Sequence, residues 1–155
     1  MSRLYTVSFN DVAVTAQQDL FEITPADDKP ISVVGLFVTQ STEVGDAAEE
    51  MLRFNVIRGH TTSGSGGTAP TPVPLNPADA AAGFTSEVNN TTIASVGTTT
   101  ILHAGTFNVR VGLELWLPPE CYWKASQANT TIVVRLLTTP ADSVSLSGTL
   151  YVQEA

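Results

Sequence analysis

Phe107 to Leu117, FNVRVGLELWL, decides how the rest of this chain is read. Phe107, Val109, Val111, Leu113, Leu115 and Leu117 share one parity, while Asn108, Arg110, Gly112 and Glu114 occupy the other. Successive side chains of a strand point to opposite faces, so the pattern predicts one long strand with a single buried face. The C-terminal part repeats it: Val144, Leu146, Leu150 and Val152 alternate with Ser145, Ser147, Thr149 and Tyr151. Gly148 falls on the apolar side, where a close neighbour could pack, and a final strand is expected almost to the end. Near the start, Tyr5, Val7 and Phe9 alternate with Thr6, Ser8 and Asn10. Asn10-Asp11 then offers a turn or bulge before Val12-Ala13-Val14, which predicts an opening strand or hairpin.

Ile31 to Val38 (ISVVGLFV) is apolar on both parities, and Thr130 to Leu137 (TTIVVRLL) is nearly so, with Arg135 as its exception. Both read as central strands covered on two faces. Met51 to Arg58 (MLRFNVIR), with Leu52, Phe54 and Val56 inward, and Thr98 to His103 (TTTILH) add two more. Thr42 to Glu50 is acidic and alanine-containing, and Asn76 to Ala82 has a cap-like Asn followed by proline; each is expected to form a helical turn or two. Hydrophobic residues make up 43% and charged ones 14%, with Thr, Ser and Val abundant, which favours half-buried pleated surfaces over coiled coil or disorder. Turn-rich stretches rather than amphipathic helices separate the strands, which disfavours a parallel sheet. The expected class is all-β: one antiparallel two-sheet sandwich of jelly-roll type spanning residues 1–155.

Residues 59–77, GHTTSGSGGTAPTPVPLNP, interrupt the strand pattern with a Gly/Ser coil and then a proline-spaced extended arm. Long irregular connections inside compact domains are usually disordered or used for binding. Thr71, Pro72, Val73, Pro74 and Leu75 are therefore candidate partner-binding residues, because prolines reduce the entropy lost when an extended segment docks in a groove or against a sheet edge. Deleting residues 61–74 is expected to leave a folded sandwich that has lost this contact. Leu115 to Trp123 (LWLPPECYW) adds Trp116, Tyr122 and Trp123, whose large rigid rings suit interfaces and equally suit the end of a core.

Chemistry finds less support. Seven basic against fifteen acidic residues give a formal charge of −8 with no basic cluster, so nucleic acid and anionic membranes are not expected partners. His60 and His103 are far apart and supply few ligands for a transition metal. His103 reads as a strand-end or rim group, and His60 as the opening of the flexible arm. The pairs Asp27-Asp28 and Glu49-Glu50 lack the spaced oxygen set of a calcium loop. Cys121 is the only cysteine, which excludes an internal disulfide, and it reads as a packed, inert thiol. Ser63 to Gly67 (SGSGG) lacks the Gly-Lys-Ser/Thr ending of a phosphate loop and reads as a linker. The triplets at Asn89, Asn90 and Asn129 match the glycosylation pattern by chance in so threonine-rich a chain, since the start MSRLYTVSFNDVAV has no secretory pattern. A soluble protein without cofactor or catalytic residues is expected.

Four portions carry a resemblance: RLYTVSFNDVAVTAQQDLFEI (3–23), RGHTTSGSGGTAPTPVPLNPADAAAGFTSEVNNTT (58–92), TTTILHAGTFNV (98–109) and SGTLYVQE (147–154). The chain resembles the small head-decoration, or cement, proteins of tailed bacteriophages. That resemblance implies a jelly-roll-like virion protein, made in the bacterial host cytoplasm. It implies binding on the capsid exterior across joints between copies of the major capsid protein, as a homodimer or homotrimer. A tail or fibre component, or a carbohydrate-binding sandwich stacking sugars on Trp116, Tyr122 and Trp123, is the alternative; a cupin-like metalloenzyme stands further off for want of ligands.

Overall fold

In the computed structural model, which describes residues 2–42, 49–126 and 130–155, strand is the dominant element and two antiparallel sheets face one another as a sandwich. The first sheet has the order β5 (Val73–Pro74), β1 (Arg3–Val14), β11 (Val144–Glu154), β3 (Ile31–Gln40), β8 (Leu113–Trp116), with β9 (Trp123–Ala125) also on β3. The second has the order β6 (Thr85–Asn90), β2 (Gln18–Thr24), β10 (Thr131–Leu136), β4 (Met51–His60), β7 (Thr100–Asn108). The expectation of helical turns at 76–82 is corrected. Asn76 makes a tight turn there, its Oδ1 accepting from Ala78 N and its carbonyl from Asp79 N, and proline-flanked chain continues without a helix. Most of the helical segment expected at 42–50, residues 43–48, lies outside the described residues.

Alternation places the core as expected. Tyr5, Val7 and Phe9 of β1 and Val144, Leu146, Leu150 and Val152 of β11 are buried between the sheets, facing Phe21, Leu52, Phe54, Val56, Ile132, Val134 and Leu136. Gly148 is where the opposing rings come closest: a Cβ there would lie 2.9 Å from Phe9 and 3.1 Å from Phe21, whose ring centroids are 5.2 Å apart. Asn10-Asp11 forms a bulge, with Asp11 at φ 52° and the β1/β11 register shifting between Phe9 and Val12.

The stretch 107–117 is not one strand. β7 ends at Asn108 in the second sheet, and β8 begins at Leu113 in the first. Between them Asn108 accepts from Val111 N and Gly112 N, Gly112 takes φ +79°, and Val111 is 80% exposed. A tight corner in mid-pattern thus carries the chain from one sheet to the other while Phe107, Val109, Leu113, Leu115 and Leu117 all stay against the core.

Among the strands that escaped the sequence reading are the two neighbours β2 and β6. Their outward positions carry Asp19, Glu22 and Asn90, which ordinarily signal solvent, yet all three are buried. The outer face of β2 and β10 is covered by a flap of the chain itself. Residues 61–68 pair with 88–96 through reciprocal bonds between Thr62 and Ser95, Ser65 and Thr92, and Thr68 and Val88. Asp19 Oδ2 accepts from Ala94 N, Arg135 Nη2 donates to the Ala94 carbonyl, and Glu22 Oε2 accepts from Gly64 N and Asn90 Nδ2. Ile57, Ala94 and Val133 form a small second core beneath the flap.

Candidate partner-binding surface

The flap changes the meaning of the Gly/Ser run. Its glycines allow backbone to lie on backbone: a Cβ at Gly64 would sit 2.4 Å from the Thr92 carbonyl oxygen, and one at Gly67 2.0 Å from that of Val88. The reading of 63–67 as a linker is therefore corrected to a packed cover. His60, expected to open a flexible arm, ends β4 as a buried residue with Nδ1 3.2 Å from the Val96 carbonyl oxygen. Asn89 and Asn90 are buried beneath the same cover, where Asn89 Oδ1 accepts from Gln18 Nε2, so their amides are not available to a modifying enzyme; Asn129 lies outside the described residues.

The proline half of the segment continues round the side of the sandwich. Ser86 Oγ donates to the Pro70 carbonyl, Leu75 N donates to the Leu4 carbonyl, and Val73–Pro74 becomes the edge of the first sheet on β1. Thr71 is exposed, Pro72 and Pro74 are half-buried, and Val73 and Leu75 are 57% and 51% exposed. The backbone is thus tied to its own sheet, while the apolar side chains of 73 and 75 remain outside.

Among the described residues, no flap like the one over β2 and β10 covers the outer face of the first sheet. At the margin opposite β5, Trp116 is 61% exposed and forms a ring cluster with Phe37 (centroids 5.1 Å) and Tyr151 (4.7 Å), while Phe37 and Tyr151 are 5.6 Å apart. Tyr151 and Trp116 are the cross-strand neighbours of Gly35 on either side, so the absence of a side chain at 35 lets the two rings meet above it. Val73 and Leu75 lie across β1, β11 and β3 from this cluster, roughly 20 Å away at ordinary strand spacing.

The sequence-chosen residues therefore divide. Trp116 belongs to the open face, and Val73 and Leu75 to its far margin. Trp123 is corrected to a core residue, buried with its ring 5.5 Å from His103. His103 in turn is no rim group; it lies within β7 with its ring against Phe54. Tyr122 is half-buried beside Cys121, and Cys121, expected to be packed, is exposed in a short 3₁₀ turn, Pro119–Cys121. Sequence reasoning missed Phe37 and Tyr151: the expectation that Ile31 to Val38 is covered on both faces is corrected, since Phe37 is half-buried on the open side of β3, and Tyr151 sits on the solvent parity of β11.

Comparison with protein-family models, curated proteins and solved structures finds no match. The surface must be read on its own chemistry. Among the described residues no three His, Cys, Asp or Glu side chains come together as a metal-binding group. Glu22 and Asp19 are spent on flap amides, and Glu154, also buried, accepts from Gly83 N and Phe84 N. The arrangement presents aromatic and aliphatic contact area on a rigid sheet, with its buried carboxylates committed to holding loops.

Proposed function

We propose that this chain is a structural virion protein of a tailed phage, a jelly-roll head-decoration protein that binds the outer surface of the capsid and bridges major capsid subunits. The observation that carries the reading is the asymmetry of the two sheets: the chain's own flap lies over β2 and β10 on the outer face of one, and the other is left open with Trp116 exposed. The jelly-roll reading is supported by strand order. Counting β1, β2, β3, β4, β7, β8, β10 and β11 as strands 1 to 8, the sheets run 1-8-3-6 and 2-7-4-5, with every consecutive pair except 4 and 5 exchanging sheets as in paired Greek keys.

Such a sandwich braces a shell by contact. Aromatic anchors and the exposed Val73 and Leu75 bury area on neighbouring subunits, and many weakly held copies act together because the shell already holds their partners close. Pro70, Pro72 and Pro74, each with φ fixed by its ring, set the far margin of the contact before docking. Deleting residues 61–74 would not leave the sandwich intact, because it would strip the buried Glu22 of its Gly64 partner. Instead, the full chain and its Trp116→Ser and Val73→Ser/Leu75→Ser variants are mixed with bare and mature capsids and imaged. Added density from the wild type at subunit joints, lost in the variants, is expected; no density on any shell refutes the reading.

The open indole of Trp116 favours a second reading, a tail or fibre component that stacks host sugars on that ring. Copy number separates the two: hundreds per virion for a shell protein, a handful for a tail protein.

A further inference from the structure

Among the described residues the two sheets end in β5, β6, β7 and the β8/β9 pair, and all of these margins but β7 carry a guard against further pairing. β5 is two residues long and contains proline; β6 is bridged at Val88 by Thr68; β8 and β9 are short, carry Glu114 and Lys124, and are separated by Pro118-Pro119. β7 has no such device. Its nine residues, TILHAGTFN, include neither proline nor a charged side chain, and they pair on one side only, with β4. One extra residue at Leu102 shifts the register between Val56 and Ile57, and from His103 to Asn108 the strand is regular. An unguarded edge presents a row of unused backbone donors and acceptors, which is a template for another strand.

We propose that this edge pairs with β7 of a second copy of the chain, antiparallel about a two-fold axis through Gly105, joining two five-stranded sheets into one. A strand that meets its own symmetry mate must keep charge away from the axis, because every charge there faces its like. β7 meets that condition in a chain of formal charge −8, whose copies repel one another over most of their surface. Behind it β4 carries Arg53 and Arg58 and no acidic residue, so the strand next to this edge is basic rather than acidic. Gly105 directs its side-chain position inward, where a Cβ would lie 2.7 Å from Phe54, which fixes the parity of its neighbours. The register then sets Ala104 opposite Thr106, both exposed, on the outer face, and His103 opposite Phe107 on the core side, so each face continues its own character across the junction. This goes beyond the capsid reading and does not depend on it.

Sedimentation velocity on the full chain, from about 1 to about 100 µM, tests it by mass action. The wild type is expected to shift from monomer to dimer with concentration. Ala104→Lys and Thr106→Glu, each altering an exposed side chain, are each expected to weaken the dimer by about tenfold or more, and an equimolar mixture of the two is expected to recover part of that loss through cross-strand Lys and Glu pairs. Circular dichroism of each variant verifies the fold. A wild type that stays monomeric overturns the proposal, as does an oligomer that Ala104→Lys leaves untouched or a mixture that recovers nothing.

Discussion

The indole of Trp116 lies over Gly35: a Cβ at 35 would stand 2.8 Å from both Cε3 and Cζ3 of the ring. Glycine is therefore required by the packing of a neighbour rather than by backbone conformation, since Gly35 is an ordinary strand residue between Tyr151 and Trp116. One face of the indole is occupied by the sheet, and the ring is held for contact on the side that remains.

Gly35→Ala should lift the indole away from Tyr151. The obstructing atoms belong to a side chain that can tilt, so the expected stability loss is about 1 kcal/mol. The sharper readout is a double-mutant cycle on Trp116→Ala and Tyr151→Ala, which should give a coupling of about 0.5 to 1.5 kcal/mol in the wild type and almost none with Ala at 35. Equal coupling in both backgrounds would show that the rings do not depend on the glycine.

Arg135 Nε donates to Asp19 Oδ1 at 2.6 Å, and both residues are buried. Arg135→Met should leave that carboxylate without its cation and cost about 3 to 5 kcal/mol in urea unfolding. Because Asp19 and Arg135 together hold the backbone of Ala94, hydrogen exchange at the Ala94 amide should rise well before global unfolding. An Ala94 amide as protected as before would mean that the flap is held elsewhere.

Gly67→Ala separates a packed cover from a free linker by the sign of its effect. In a flexible linker the change is neutral or stabilises by roughly 0.4 to 1 kcal/mol through the unfolded state. Against the Val88 carbonyl oxygen at 2.0 Å and the Asn89 backbone at 2.7 Å it should destabilise by about 1 to 3 kcal/mol or more. Thermal denaturation of this one variant decides between them.

Cys121 should react with one equivalent of a thiol reagent in the native protein, without denaturant, because its side chain is exposed on the 3₁₀ turn. Labelling that needs unfolding would return the residue to the buried class that its aromatic surroundings suggested.

Much of the sandwich was legible because strands with one wet and one dry face print their geometry as alternation, as β1, β4 and β11 do. The corner at 109–112 was hidden by that same regularity: both sheets draw on one apolar parity, and only Gly112 marks the turn. β2 was hidden for the opposite reason, since Asp19 and Glu22 look solvated until residues 61–68 and 91–97 are seen to cover them. The open face was half legible. Trp116 announces itself in a proline-rich segment, but its companions Phe37 and Tyr151 depend on pairings through Gly35 that no local window contains.

The long partner of the first strand is the last one, with Arg3 opposite Glu154 and Val14 opposite Val144. β11 must therefore leave the ribosome before that sheet can zip, and until then the apolar residues Tyr5, Val7 and Phe9 of β1 wait unshielded. Closing so large a loop is slow for entropic reasons. Maturation of this molecule should accordingly be paced by the arrival of β11, and cells producing it quickly or at high temperature will accumulate aggregates of chains in which β11 has not yet emerged.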